Sequence, residues 1–150
     1  MRLLLQRVSE ASVAVRGEEL ARIGPGLVAL VGVERGDGEA DVEYLAQKTV
    51  SLRLFADEGG HFNRSLLDTG GELLIVSQFT LLADVGKGRR PSFDRAAPPE
   101  EAQPLIERYV ELVRQRKVSV GTGRFGETMQ VEIHNQGPVT IFLDSRQKEV

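Results

Sequence analysis

Apolar and polar positions alternate along much of this chain in segments that predict β-strands. Residues 3–8 and 11–15 indicate either an opening strand pair or one long bent strand. Residues 19–23 and 27–33 predict a hairpin across the Gly-Pro-Gly turn at residues 24–26. The second of these runs is continuously apolar, which is typical of a strand in the middle of a sheet.

Two other segments show the spacing of amphipathic helices. The first covers residues 39–51, and the second covers residues 98–117, with Pro104 expected no deeper than the first helical turn. Residues 52–55 predict a short strand and residues 73–76 a buried one. Together these patterns predict one α+β domain over all 150 residues, with a mostly antiparallel sheet and two main helices packed on it.

A Gly-Pro pair, Gly137-Pro138, separates the last two strand patterns. Residues 129–134 alternate apolar and polar, and residues 139–143 are β-branched and aromatic. Because proline has no N–H and a fixed φ, Pro138 does not fit inside a central ladder, so the pair must form a turn or a protruding tip. One interpretation is a plain hairpin turn, and the other is a bare main chain that tests the shape of a small substrate.

The composition narrows the classes of function. Hydrophobic residues make up 41% of the chain and charged residues 27%, as in ordinary soluble domains. No apolar run reaches the roughly 18 residues of a membrane span. Without cysteine, and with only His61 and His134, we expect no disulfide, no Cys nucleophile, no thiolate zinc site and no histidine-rich metal site. The net charge of −3 argues against broad coating of nucleic acid but leaves recognition of one RNA end open. A cytoplasmic location is expected by default.

The polar run Ser77-Gln78-Phe79-Thr80 directly follows the buried strand pattern. It offers two hydroxyl groups, one amide and several main-chain N–H groups, but no general base beside them. One interpretation is a polar strand end whose hydroxyls cap the neighbouring backbone. The other is an oxyanion-binding site made of N–H and amide donors.

Two glycine-rich segments have compositions that are found in phosphate-binding loops. Lys87, Arg89 and Arg90 lie among glycines and could pair with phosphate oxygens, or could form a solvated basic loop. Residues 121–126 match G-x-G-x-x-G, but here a helix pattern precedes the glycines and a strand pattern follows them. A dinucleotide-binding loop needs a strand before the glycines and a helix after them. These glycines are therefore interpreted as an ordinary turn.

The two polar motifs together resemble the two signature motifs of the D-aminoacyl-tRNA deacylases, the D-tyrosyl-tRNA deacylase family of editing enzymes. The motifs are residues 77–80 and residues 135–140, and the resemblance covers essentially the whole chain. It also includes residues 1–2, 6–8, 90–93, 122–126 and 129–131.

This resemblance implies a dimeric α+β protein with a barrel-like core. It implies hydrolysis of the ester that joins a D-amino acid to the 3′ end of tRNA, as proofreading in translation, with no cofactor and no metal. Glycine misattached to tRNA would also be a substrate, because it has no side chain by which handedness is judged. The expected partners are the tRNA 3′ end and a second copy of the chain, and no membrane.

The resemblance also implies roles for individual residues around the substrate. The Gly137-Pro138 peptide would be cis and would reach into the pocket of the partner subunit, with Arg7 bracing it. Phe125 and Met129 would lie near the terminal adenosine. Ala102 would border the pocket.

Catalysis in such a site would depend on positioning. Ser77, Gln78, Phe79 and Thr80 would place the ester and stabilise the developing oxyanion, while the 2′-hydroxyl of the RNA assists. RNA contacts are expected at Lys87, Arg89 and Arg90.

Two other functions remain open from the sequence. An RNA-end binding module without turnover would explain the missing base. A conventional serine or threonine esterase would use Ser77 or Thr80 as a nucleophile.

Overall fold

A computed structural model describes residues 1–148. Its longest strands lie at the two ends of the chain, and its two main helices lie between strands. The strands are β1 (Arg2–Val15), β2 (Glu18–Ile23), β3 (Gly26–Gly32), β4 (Phe55–Ala56), β5 (Phe62–Arg64), β6 (Glu72–Ser77), β7 (Val120–Thr122) and β8 (Gln130–Asp144). The helices are α1 (Glu39–Ser51), α2 (Leu66–Thr69) and α3 (Pro99–Gln115), with a 3-10 helix over Phe79–Leu82. None of the helices within residues 1–148 is long and apolar enough to cross a membrane.

Strand β1 organises the sheet because it pairs on both of its edges. β8 pairs antiparallel with one edge along most of its length, while β3 and β2 share the other edge. β6 pairs parallel with β3, and β7 pairs parallel with β6. The sheet curls until β7 reaches β2, where a Cβ added at Gly121 would lie 3.0 Å from Ala21 Cβ. The α+β fold with a barrel-like sheet and two main helices is therefore confirmed, and its pairing is mixed.

The predicted hairpin across residues 24–26 is wrong. β2 and β3 both run along β1, with Ile23 opposite Ala11 and Gly26 opposite Val8. Two residues on each side lie between these two pairs, so the Gly-Pro segment continues the line along β1 and does not reverse the chain. The reversal lies instead between β1 and β2, where Arg16 and Gly17 both have positive φ, as a tight two-residue turn requires.

Three further expectations concern residues 1–15, residues 52–55 and Pro104. Residues 2–15 form the single long strand, one of the two predicted alternatives. Of the predicted strand over residues 52–55, only Phe55 is in a strand, paired with β5. Pro104 lies in the second turn of α3, deeper than predicted. The carbonyl that loses its partner there belongs to Glu100, which is exposed, so water can replace the missing hydrogen bond.

The core consists of two apolar clusters. The larger cluster packs α1 and α3 against the sheet, and its largest fully buried side chain is Tyr109. The Tyr109 hydroxyl lies 2.7 Å from Thr49 Oγ1 on α1, and burial raises the pKa of Tyr109. The smaller cluster joins β1, β3 and β6, with Met129, Val131 and Ile133 packed against it. Because β6 contributes to both clusters, its C-terminal end is held in a fixed position.

Candidate active site

The chain turns sharply at the end of β6, where Ser77 leads into the 3-10 helix. The Gln78 N–H donates to the carbonyl of Val31 on β3 at 2.7 Å. Gly32 permits the close approach of the helix, because a Cβ there would lie 2.6 Å from Leu82 Cδ2 and 3.0 Å from the Gln78 carbonyl oxygen. The neighbouring strand therefore fixes the backbone of residues 77–80.

The start of this 3-10 helix presents main-chain donors. The first N–H groups of a helix have no acceptor within it, and none of the hydrogen bonds of residues 1–148 uses the N–H of Phe79 or Thr80. The Gln78 side-chain amide donates to Thr80 Oγ1. The exposed Phe79 ring meets Phe93 edge to face, with the ring centroids 5.0 Å apart. Two neighbouring N–H groups are thus available to bind an oxyanion.

A cavity of about 580 Å³ opens beside this strand end, and we call it the strand-end cavity. It lies between the end of β6, the start of α3 and the segment between β7 and β8. Of the residues that the sequence assigned to the site, Ser77, Gln78, Phe79, Ala102, Phe125 and Met129 line it. Thr80 is exposed next to it, without lining it. Most of the lining is apolar, so the polar strand end provides the groups that can orient a ligand.

Neither histidine of the chain lines the strand-end cavity. His61 lies in the loop between β4 and β5, with Nδ1 3.8 Å from Asp57 Oδ1. His134 lies on β8, with Nε2 3.5 Å from Glu10 Oε1. A hydroxyl nucleophile needs a base within hydrogen-bond distance, so this placement argues against a conventional serine or threonine esterase.

The Gly-Pro pair lies inside β8 as a bulge, which we define as residues 136–139. Thr140 is opposite Gln6 and Asn135 is opposite Val8, so four residues of β8 face one residue of β1. The interpretation as a plain hairpin turn is wrong, since both halves of β8 pair with the same strand. The Gly137–Pro138 peptide is cis, and both residues are exposed. The bulge therefore presents main chain to the surroundings.

The one residue opposite the bulge, Arg7, supports it. Arg7 Nε donates to the Gln136 carbonyl at 3.1 Å, and its Nη1 donates to the Leu54 carbonyl at 2.9 Å. Gly137 has a φ of +132°, and a Cβ on it would lie 2.8 Å from Val139 Cγ2 and 3.1 Å from Arg7 Nη2. Only glycine satisfies both the backbone conformation and the available space.

The bulge is remote from the strand-end cavity of the same chain. Ser77 pairs with Val31 of β3, whereas Arg7 pairs with Leu27, four residues away on that strand. The interval of four residues corresponds to roughly 13 Å along the strands. β8 also lies three strands away from β6, which adds a separation of roughly 14 Å across the sheet. None of residues 136–139 lines the cavity.

The three basic residues of the predicted RNA contact lie in an exposed loop. Asp84 and Ser92 close it with two main-chain hydrogen bonds of 2.8 Å, and we call residues 85–91 the basic loop. Phe93, next to this closure, contacts Phe79 of the strand-end cavity. The loop is thereby held beside the cavity, and its basic residues Lys87, Arg89 and Arg90 are all exposed.

Sequence reasoning missed several residues of the site. Ile106 lines the strand-end cavity four residues after Ala102, so helical spacing alone could have identified it. Ala97 and Thr128 also line it, but no pattern in the sequence marks them. Gly32 could have been recognised only from the close approach of the 3-10 helix.

Comparisons with known proteins agree on one family. The D-Tyr-tRNA(Tyr) deacylase family model matches residues 4–144. A D-aminoacyl-tRNA deacylase of Thermomicrobium roseum is 59% identical over 145 residues, covering 97% of this chain and 94% of that protein. One of Bacillus velezensis is 54% identical over 147 residues, covering 98% of this chain and all of that protein.

Solved structures give the same fold. The structure of a c-Myc DNA unwinding element binding protein is 40% identical, with a TM-score of 0.90 over 96% of this chain and 98% of that chain. A probable eukaryotic D-amino acid tRNA deacylase is 18% identical, with a TM-score of 0.83 over 95% of this chain and 97% of that chain. The second comparison is evidence for the fold alone.

Proposed function

Because this chain belongs to the D-Tyr-tRNA(Tyr) deacylase family and deacylates D-aminoacyl-tRNA, we propose that it also deacylates glycyl-tRNA and rejects L-aminoacyl esters. The bond cleaved is the ester between the amino acid and the 3′ end of tRNA. The products are the free D-amino acid or glycine and the free tRNA.

The observation that carries the catalytic part is the pair of available N–H groups at Phe79 and Thr80. As water attacks the ester carbonyl, negative charge develops on its oxygen, and preorganised main-chain donors stabilise that charge. Ser77 and Gln78 position the ester at the polar end of a mostly apolar cavity. An aminoacyl ester is already reactive, and the neighbouring 2′-hydroxyl of the tRNA assists. The absence of histidine from the described cavity lining is compatible with this route.

Selection of handedness is assigned to the bulge of a partner subunit. The bulge is exposed and braced by Arg7, yet it lies too far away to enter the cavity of its own chain. A homodimer solves this problem, because each subunit can insert its bulge into the cavity of the other. β8 pairs only with β1 within residues 1–148, so its outer edge is available to a second copy.

Main-chain groups at fixed positions discriminate by exclusion. If the carbonyl groups of Gly137 and Pro138 hold the α-amino group of the substrate, an L side chain meets the main chain and a D side chain points into open space. Glycine has only hydrogen at the two α-carbon positions that an L or a D side chain would occupy. A site that excludes by size does not reject a smaller ligand.

The test is a comparison of matched esters on one tRNA. Purified protein incubated with the D-, L- and glycyl forms should release the D-amino acid and glycine only, as followed by the loss of charged tRNA. Equal hydrolysis of the L ester would refute the selection mechanism. Tight tRNA binding without release of any amino acid would instead support a binding module without turnover.

Replacing Lys87, Arg89 and Arg90 together by alanine should raise KM for D-aminoacyl-tRNA by about tenfold. The dependence of KM on salt should also become weaker, because fewer phosphate contacts form and fewer counterions are released on binding. Because the basic loop does not line the cavity, kcat/KM for a D-aminoacyl-adenosine should be unchanged. Arg53→Ala, at another exposed arginine, is the matched control. An unchanged salt dependence in the triple variant would show that the loop does not bind tRNA.

A further inference from the structure

A second cavity, of about 630 Å³, continues from the strand-end cavity along α3, and we call it the α3 groove. The two cavities share Ser77, Ile106 and Phe125, so Phe125 stands at their junction. Beyond this junction the groove is lined by α3 on one side and by the segment that follows β7 on the other. A chain bound in the strand-end cavity can therefore extend into the groove past the Phe125 ring.

The groove contains one carboxylate and one guanidinium group that the fold leaves available. Within residues 1–148, the carboxylate of Glu107, on α3, accepts a hydrogen bond only from the Gln103 side chain, with Nε2 3.2 Å from Glu107 Oε1. The Arg124 side chain, on the opposite side, makes no ion pair or hydrogen bond within residues 1–148, and only its main-chain carbonyl accepts, from the Glu127 N–H at 3.3 Å. The other charged groups are engaged, since Glu111 pairs with Arg108 at 3.2 Å and Arg114 donates to the Val120 carbonyl at 3.4 Å.

An acceptor facing a donor across a groove fits a base edge that has an amino donor at one end and a carbonyl acceptor at the other, as cytosine and guanine have. Cytosine presents an amino group, N4, that donates, beside N3 and O2, which accept. A carboxylate accepts well from N4, and a guanidinium, which is a donor only, can donate to the carbonyl oxygen O2. Uracil lacks the amino donor and presents a carbonyl at that position, which would repel a carboxylate. Single-stranded RNA ends are read in this way, by aromatic stacking together with hydrogen bonds to the base edge.

We propose that the α3 groove binds the cytidine that precedes the terminal adenosine of the tRNA CCA end. Glu107 accepts from cytosine N4, Arg124 donates to O2, and Phe125 separates this base from the adenosine in the strand-end cavity. This inference rests on the proposed function, because it assumes that the strand-end cavity holds the terminal adenosine. It gives the protein a means to check the sequence of the tRNA end as well as the handedness of the amino acid.

The experiment uses D-aminoacyl minihelices that end in CCA or in CUA. The wild-type protein should hydrolyse the CCA form with a kcat/KM about tenfold higher, as expected for one well-made base contact. Glu107→Gln should reduce this preference to less than about twofold, because an amide can donate to uracil O4 as well as accept from cytosine N4. Arg124→Ala should lower kcat/KM for both minihelices. Glu100→Gln and Arg53→Ala, exposed and outside the groove, should behave as wild type.

Two further measurements separate this inference from the proposed function. Hydrolysis of D-aminoacyl-adenosine, which lacks the cytidine, should be equal in wild type, Glu107→Gln and Arg124→Ala. Binding of stable amide-linked minihelices should show the same CCA preference without turnover. Equal treatment of CCA and CUA by wild type, or an unchanged preference in Glu107→Gln, would overturn the cytidine site. A failure to hydrolyse any D ester, with the binding preference intact, would overturn the proposed catalytic function alone.

Discussion

Replacing Gly137 by alanine should lower kcat/KM for D-aminoacyl-tRNA by roughly 100-fold or more, the scale of a misplacement of about 1 Å in a catalytic site. The added Cβ would lie 2.8 Å from Val139 Cγ2 and 3.1 Å from Arg7 Nη2, at a φ of +132° that alanine rarely adopts. The bulge must therefore shift, and with it the Arg7 hydrogen bond to the Gln136 carbonyl. Steady-state deacylation of matched D and L esters measures the effect.

The matched control for this variant is Gly17→Ala. Gly17 also has a positive φ, +79°, but a Cβ there meets nothing within 4 Å. It carries a similar kind of backbone penalty, of about 1 kcal/mol, without displacing a neighbour. Gly17→Ala should reduce the free energy of unfolding slightly and leave kcat/KM unchanged. If Gly137→Ala retained wild-type kcat/KM for the D ester, the bulge would have no part in the reaction.

Phe79→Pro should lower kcat by about 10²- to 10³-fold, the usual loss when one oxyanion donor is removed. Phe79 is the first residue of the 3-10 helix, where proline is well tolerated because the N–H has no partner within the helix. Gln78 has a φ of −147° and a ψ of 75°, outside the α region that a following proline disfavours. The substitution therefore removes the donor while the backbone can keep its path. Single-turnover hydrolysis of a D ester measures the loss.

The control is Phe79→Ala, which keeps the N–H and removes the ring. Phe79 is 58% exposed and its ring contacts Phe93, so loss of the ring should affect substrate binding more than the chemical step. A kcat of Phe79→Pro no lower than that of Phe79→Ala would show that the Phe79 N–H does not stabilise the transition state. Thermal unfolding of both variants establishes that the comparison concerns folded protein.

Local patterns predicted most of the elements of the fold, and pairing was the part that they could not predict. The helix predicted over residues 39–51 and the strand predicted over residues 73–76 are confirmed, because in each case the apolar spacing reflects burial within a single element. The prediction of a hairpin across residues 24–26 was wrong because Gly-Pro-Gly is compatible both with a chain reversal and with a kink. The structure has the kink, because β2 and β3 both pair with β1, which is distant in the sequence. The same applies to the bulge in β8. The two halves of β8 look like separate strands in the sequence, and only the pairing of Gln6 with one half and Val8 with the other shows that they form one strand.

The candidate site was accessible from the sequence only where residues are close along the chain. Residues 77–80 were identified from their place after a buried strand, and in the structure they connect the end of β6 to the 3-10 helix. The pairing of the bulge with Arg7 joins positions about 130 residues apart, which no local pattern reveals. The resemblance to a family supplied that pairing. The α3 groove was not predicted, because Glu107 and Arg124 lie on separate elements and look like ordinary surface charges.

A heterodimer of two defective subunits tests whether one subunit completes the site of the other. Gly137→Ala and Phe79→Pro are each expected to be inactive as homodimers, because every site then contains one defect. In a heterodimer of the two, the Gly137→Ala subunit has an intact strand-end cavity and receives an intact bulge from its partner. The heterodimer is prepared by co-expression with two different affinity tags and tandem purification.

If the bulge acts across the interface, the isolated heterodimer should have about half the deacylation rate of the wild-type dimer, since one of its two sites is fully intact. If the bulge acts within its own chain, each subunit of the heterodimer keeps its own defect. A purified heterodimer as inactive as its two parents, or a wild-type protein that is active as a monomer, would contradict the account.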